Sequence, residues 1–395
     1  MALLSAPTNG KRMPIAKAPP IFYALSVVRN ESEMRLYVDG RWFSQPGQGV
    51  ATYLLGLHEQ LLAAHDQRRH RDIELVFGVQ SNADLPGALK GRAETIELGN
   101  SSFAWRLFSL PDVLRRHGID IAHFQYSTPL AKKGIRHIVT IHDALFMSIP
   151  EYFSLRYRVP RWALFGLAAH RADAVITVSE QSAEDIARHF HLSRPIDIVY
   201  NGTETSLRNE APEPVDDLQP SQFLLSVGRV EPRKNYRRLA EAFRNSRAKA
   251  AGFKLVIVGF CSDEFRAEGA ALIENSDVMW LNGARDGQLN WLFQNARAFL
   301  FPSIGEGFGI PVLEALNAGL PCAISDSYPL TDVKDICIRF NPLDTTEMRQ
   351  AIDVAINALP PTPLSIAHLT SRYAWPQMAD RYADILRRVL AQPIR

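Results

Sequence analysis

Two hydrophobic patterns alternate along this chain. Short apolar runs at residues 35–39, 74–79, 95–98, 119–124, 135–141 and 174–178 read as buried strands. Between them apolar residues recur every three or four positions, as with Val50, Leu54, Leu57 and Leu61, and across 104–117 and 155–170. That spacing lines one face of a helix, so the order is strand, helix, strand, and such chains pack as a parallel sheet with right-handed crossovers. A second set follows, with strands at 223–227, 254–258, 278–281, 298–301 and 322–324 and helices at about 234–249, 286–295 and 310–318. After Asp344 the pattern is helical to the end, with an amphipathic segment at 378–390. The expected class is α/β, with two similar parallel-sheet domains facing each other.

The interruptions divide the chain. Residues 1–33 mix Pro, Lys, Ser and Asn without periodicity and read as a flexible tail. Residues 34–203 form the first domain; 204–221, with Pro212, Pro214, Pro220 and the pair Asp216 and Asp217, read as a linker. Residues 222–374 form the second domain, and 375–395 a terminal helix positioned to cross back to the first. A length of 395 residues with 46% hydrophobic content fills two cores. The net charge of +2 argues against a nucleic-acid partner. Three cysteines, Cys261, Cys322 and Cys337, are too few and too far apart for a disulfide framework or zinc knuckle, and no apolar run reaches spanning length, which together point to the cytoplasm.

Candidate chemistry gathers where predicted strands end, since ligands bind at the carboxyl edge of such sheets. One strand stops on His142 and Asp143, another on Ser179 and Glu180. The stretch 301–321, FPSIGEGFGIPVLEALNAGLP, sets Glu306 and Glu314 among Gly305, Gly307 and Gly309 at the start of a helix. Glycines let backbone approach a ligand, and free amides at a helix start favour an anion. The loop 228–235 adds Arg229, Arg233 and Lys234 after another strand of the same domain; a planar arginine fork and a mobile lysine charge both suit phosphate. A tight turn and a solvated basic loop are the plain alternatives, but two loops opening on one sheet edge make a single anion pocket the simpler account. Gly47 and Gly49 form a further glycine turn before a helix, without the third glycine of a dinucleotide fingerprint. There is no P-loop, no G-x-S-x-G elbow, no H-E-x-x-H and no D-x-D pair for a metal-bound nucleotide sugar, so a bound diphosphate would be neutralised by protein cations and helix amides.

Gly228-Arg229-x-x-x-Arg233-Lys234-Asn235 together with Glu306-x7-Glu314 resembles the donor-site signature of the retaining family 4 glycosyltransferases, which have two Rossmann-like domains in the GT-B fold. Residues 199–203, VYNGT, resemble that family's interdomain junction, and the likeness runs from Met34 onward. It implies that Arg229 and Lys234 hold the donor diphosphate, with backbone amides at Phe308, Gly309 and Ile310 near phosphate or sugar. It further implies that Glu306 binds sugar hydroxyls near the reacting carbon, Glu314 the ribose, and His142 the donor sugar from the opposite domain, with Gly47 and Gly49 as the first-domain loop closing on the phosphates. This chain has G-Q-G where many relatives carry adjacent glycines.

The resemblance thus implies a metal-independent, cofactor-free, retaining hexosyltransferase whose nucleotide-diphosphate sugar is a substrate and whose acceptor is a glycan or lipid-linked oligosaccharide. GDP-mannose is the leading donor, because residues 37–49 look like the opening of bacterial mannosyltransferases, and polysaccharide or lipopolysaccharide assembly is the expected setting. Arg156, Arg158 and Arg161 beside Tyr157, Trp162 and Phe165, with Trp105, Arg106 and Phe108, suit either peripheral contact with the inner face of the cell membrane or an ordinary helix with a solvated basic face. A nucleotide-sugar epimerase of the same fold and a catalytically inactive two-domain binding protein are the alternative readings.

Overall fold

The computed structural model describes residues 33–44, 49–203, 210–273 and 278–393. Gly47, most of the expected tail and the first part of the expected linker lie outside them.

The first sheet holds β1 (Met34–Asp39), β2 (Ile73–Val79), β3 (Glu94–Glu97), β4 (Ile121–Gln125), β5 (Arg136–Thr140), β6 (Ala174–Thr177) and β7 (Asp197–Ile198), all parallel, in the order β3-β2-β1-β4-β5-β6-β7. Helices α1 (Gly49–Asp66), α2 (Phe103–Phe108), α3 (Leu110–Arg116), α4 (Leu145–Ser148), α5 (Leu155–Arg171) and α6 (Glu180–Phe190) connect them. The central strands are buried on both faces, which is why they read as apolar runs rather than alternating ones.

The second sheet holds β8 (Phe223–Val227), β9 (Lys254–Val258), β10 (Val278–Leu281), β11 (Ala298–Phe301), β12 (Cys322–Ser325) and β13 (Ile338–Phe340), again parallel, in the order β10-β9-β8-β11-β12-β13. Its helices are α7 (Tyr236–Arg244), α8 (Arg247–Ala250), α9 (Arg266–Ile273), α10 (Asp286–Asn295), α11 (Ile310–Asn317), α12 (Thr331–Lys334) and α13 (Thr345–Ala355), followed by α14 (Pro363–Arg372) and α15 (Trp375–Leu390). In each sheet the first strand pairs on both sides with strands reached in opposite directions, β2 and β4 around β1, β9 and β11 around β8. A ligand crevice opens at the carboxyl end of such a reversal.

Two helices and two edge strands differ from their sequence expectation. The helix expected at 104–117 is two, because Ser109 ends α2 and precedes α3, where Pro111 lacks the N–H a continuous helix would use. The helix expected at 234–249 is also two, broken where the Ser246 side chain accepts the Lys249 N–H and caps α8. The edge strands β7 and β13 are two and three residues long, too short for any periodic signal.

Helix α15 returns to the first sheet. Its buried stripe of Trp375, Met378, Ala379, Tyr382, Leu386 and Val389 follows helical spacing and packs on α1. Arg387 makes a bidentate pair with Asp72 at 2.8 and 2.8 Å, and Arg388 meets Asp197 at 2.5 Å. Between the sheets the apolar core is continuous through Tyr200, Phe308 and Tyr373, whose rings contact one another edge-on or tilted.

Candidate active site

Strand β11 runs into the loop 302–309, which turns into α11 through Gly309. Its φ of 86° lies in the left-handed region, and a Cβ there would sit 2.4 Å from the Tyr328 ring, so both conformation and space call for glycine. The Tyr328 hydroxyl donates to the Gly309 carbonyl at 3.1 Å and pins the turn. Phe308 is buried in the core between Tyr200 and Tyr373, so this residue can meet a ligand only through its backbone. Ile310 opens α11, half-buried.

Glu306 is buried in this loop. Lys234 Nζ lies 2.5 Å from one carboxylate oxygen and Arg233 Nη1 3.3 Å from the other, while the same Arg233 atom donates to the Gly305 carbonyl at 2.9 Å. The Ile304 N–H donates to the Arg233 carbonyl at 2.9 Å, so the loops after β8 and β11 are joined through backbone and side chains. Burial pushes the Glu306 pKa up, but Lys234 and Arg233 together outweigh it and hold it at about 2, an ionised group at every working pH. Burial works against the charge on Lys234 and lowers its pKa despite Glu306. Arg233 is also desolvated, yet Glu306, Glu231 and Asp143 keep its pKa above the usual value.

Of the two cations expected to hold phosphate, Lys234 is in this cluster and Arg229 is not: Arg229 is exposed at the end of β8 with no ion-pair partner among the described residues. Arg233 takes the second place beside Glu306, and also pairs with Glu231 at 2.5 Å. Asn235, in the left-handed region at φ 63°, anchors the loop by donating to the Pro302 and Pro342 carbonyls at 3.2 and 2.6 Å. Glu314 lies half-buried on α11, and among the described residues no cation pairs with it. Burial, with a smaller contribution from Asp286, pushes its pKa up to about 7.

The first domain closes directly on this loop. A Cβ at Gly307 would lie 3.0 Å from Asp143 Cβ and 3.1 Å from the His142 carbonyl, and one at Gly305 would lie 2.9 Å from Ile149. Ser179 and Ser182, at the start of α6, both donate to the Gly307 carbonyl, at 2.7 and 3.2 Å. His142 is buried just beyond β5, edge-on to Tyr53 at 5.1 Å and tilted against Tyr126 at 5.4 Å; burial pushes its pKa down to about 3, so the imidazole is neutral. Asp143 has its pKa raised by burial, opposed by Arg233 across the domain boundary. Gly49 is the exposed first residue of α1, already helical.

The structure therefore brings His142, Glu306, Lys234 and the glycine loop to one interdomain face. Arg233, a phosphate candidate in the sequence, joins them at Glu306, as do Asp143, Gln125, Ser179 and Ser182, to which the sequence assigns no site role. The strand-end rule marked Asp143 and Ser179; Gln125 ends β4 and answers to the same rule. Arg233 and Lys234 differ in sequence by one position, and only the turn at 232–235 decides which way each side chain points.

Two family profiles match the chain side by side: Glycosyltransferase Family 4 over residues 48–207 and Glycosyl transferases group 1 over residues 209–334. In fold it is similar to the sucrose-phosphate synthase of Thermosynechococcus elongatus, with a TM-score of 0.68 at 16% identity, covering 91% of this chain and 99% of that one. This chain is a glycosyltransferase of the GT-B fold. The glycosyltransferase is 26% identical over 369 residues to a GDP-mannose:cellobiosyl-diphosphopolyprenol alpha-mannosyltransferase of Komagataeibacter xylinus, covering 86% of this chain and 91% of the relative. It is 25% identical over 253 residues to the O-antigen chain mannosyltransferase RfbU of Salmonella typhimurium, covering 63% of this chain and 68% of that relative. Among the described residues of the glycosyltransferase no group of three or more His, Cys, Asp or Glu is arranged to hold a metal ion, and no helix is long and apolar enough to cross a membrane.

Proposed function

We propose that this glycosyltransferase moves mannose from GDP-mannose to a glycan or lipid-linked acceptor, with retention of configuration and without a metal ion, in bacterial polysaccharide or lipopolysaccharide assembly. The observation that carries the reading is the buried Lys234–Glu306–Arg233 cluster at the strand reversal of the second sheet, closed by the His142 side of the first. The names of the two mannosyltransferase relatives support the sugar, and one of them supports the base.

In this reading Arg229, exposed and without an ion-pair partner among the described residues, and Lys234 take the donor diphosphate. Lysine has three donors and Glu306 uses one, so others remain for phosphate oxygens. Backbone amides near Phe308, Gly309 and Ile310 add to them, and Glu314 takes ribose hydroxyls. Glu306 and neutral His142 hold sugar hydroxyls from opposite domains, with Gly47 and Gly49 on the phosphate side. Breaking the bond from the anomeric carbon to the diphosphate leaves negative charge on the departing group, and cations that bind it more strongly as that charge grows lower the barrier. Attack by the acceptor on the face the diphosphate leaves retains configuration. The cations here do the neutralising, which removes the need for a metal. The acceptor enters on the first domain, where α5 carries Arg156, Arg158 and Arg161 without any acidic side chain and leaves Leu155, Val159 and Trp162 exposed. That surface suits a cytoplasmic enzyme resting on the inner face of an anionic membrane.

Thermal melts with UDP, GDP, ADP and their mannose or glucose esters test the donor, because a ligand specific to the folded state raises Tm. GDP and GDP-mannose should give the largest shift, reduced in Arg229→Ala and in Lys234→Ala, and transfer should persist with a chelator present. Full affinity in both variants overturns the diphosphate assignment, a metal requirement overturns the metal-free one, and sugar isomerisation without acceptor would make the enzyme an epimerase.

A further inference from the structure

His142 is fixed by a buried polar chain that reaches the last helix of the protein. Its Nε2 lies 2.9 Å from Oε1 of Gln125, the final residue of β4. Gln125 Nε2 is 3.3 Å from His123 Nε2, which is also 2.7 Å from Thr140 Oγ1 on β5. His123 Nδ1 is 2.7 Å from the hydroxyl of Tyr382 on α15. Gln125, His123, Thr140 and Tyr382 are all fully buried, so each hydrogen bond in the chain is one that water cannot replace.

We propose that Gln125 is the positioning residue for His142: its carbonyl oxygen takes the Nε2 hydrogen, which leaves Nδ1 as a hydrogen-bond acceptor facing the cleft, with His123 and Tyr382 holding the amide in that orientation. A carbonyl oxygen can only accept, so Nε2 carries the hydrogen and the neutral ring has its lone pair on Nδ1. Among the described residues nothing pairs with Nδ1, and it is absent from the buried unpartnered atoms, so it is open to a ligand. The ring itself has no room to turn, wedged between Tyr53 of α1 and Tyr126, whose backbone is held at φ 64° just after β4. His142 then offers a sugar hydroxyl an acceptor and is not a proton donor. The chain's far end on α15 gives the terminal helix a part in aligning the site.

This inference rests on His142 contacting the donor sugar, and the experiment separates the two. His142→Ala should lose activity; if it does not, the sugar contact itself is wrong. Given that loss, Gln125→Leu should lower kcat about tenfold, as for one hydrogen bond to the reacting complex, with donor KM nearly unchanged. Tyr382→Phe, acting at the far end, should lower kcat less. In the His142→Ala background Gln125→Leu should add nothing. Gln125→Glu keeps the shape and the acceptor but sets a carboxylate beside the ring, facing also Tyr53, Tyr126 and His123. It should raise the His142 pKa and introduce an acid limb in kcat that the wild type lacks, since protonation of Nδ1 removes the acceptor. An unchanged kcat in Gln125→Leu, additive losses in the double variant, or a flat pH profile in Gln125→Glu overturns the assignment. The isosteric Glu and Phe variants keep the test valid if the leucine variant does not fold.

Discussion

Glu306 and Glu314, eight positions apart in one glycine-rich stretch, are placed in opposite electrostatic settings. Two cations hold Glu306 ionised down to about pH 2. Its ion pairs therefore stabilise the fold above its ordinary pKa of 4.5, and that stability is lost as pH falls through about 2. Glu314 behaves in reverse: its carboxyl is protonated more readily folded than unfolded, so its contribution falls as pH rises from 4.5 to about 7. If Glu314 accepts ribose hydroxyls as a carboxylate, donor KM should rise as pH drops below about 7, while Glu314→Gln should show a high, pH-independent KM. Steady-state kinetics across this range check it, and a wild-type KM that stays constant would remove Glu314 from the donor site. The glycine spacing and the two glutamates are plain in the sequence. Their different charge states are not, because Lys234 and Arg233 reach Glu306 from 72 and 73 residues away.

At the scale of elements, the attachment of α15 depends on two glycines. A Cβ at Gly56 on α1 or at Gly202 after β7 would lie 2.3 Å from the Trp375 ring, so Trp375 fits only because both side chains are absent. Gly202→Ala should destabilise the protein by about 1–3 kcal/mol, the usual cost of overpacking, and lower Tm. Trp375→Leu should relieve much of that cost, so the double variant should be more stable than the sum of the single losses; strict additivity would show that the glycine does not serve Trp375. The amphipathic period of 378–390 predicts a helix with one apolar face. Which surface that face covers is decided by Gly56, Gly202 and the Arg387–Asp72 pair, 173 or more positions of chain not being a distance that periodicity can read.

For the whole molecule, the first domain carries an exposed apolar and basic face. Leu155, Val159 and Trp162 are 69%, 61% and 50% exposed on a helix without acidic residues, and Arg161 lies over the Tyr157 ring at 3.5 Å. The protein should sediment with vesicles containing anionic phosphatidylglycerol and much less with neutral phosphatidylcholine vesicles. Raised salt should weaken the binding, because exposed charges are screened beyond about 10 Å at 0.1 M. Trp162→Ala with Arg156→Glu should abolish it; equal sedimentation with neutral vesicles, or none with either, removes the membrane from the proposal. Composition flags these residues in the sequence, but a helix of the same composition packed inward would read the same, and only the observed exposure separates the two.

The sequence by itself determined the alternation of strands and helices, the two-domain α/β architecture and the two loops that bear the candidate donor chemistry. These are local properties: period, glycine placement and the residue type at a strand end. Tertiary structure decided that Arg233 rather than Arg229 meets Glu306, that Ser179 and Ser182 grip the Gly307 carbonyl, and that His142 is held through Gln125 and His123 by Tyr382. Each of those joins residues from separate strands or domains, and the contacts exist only once the sheets set their carboxyl edges against each other.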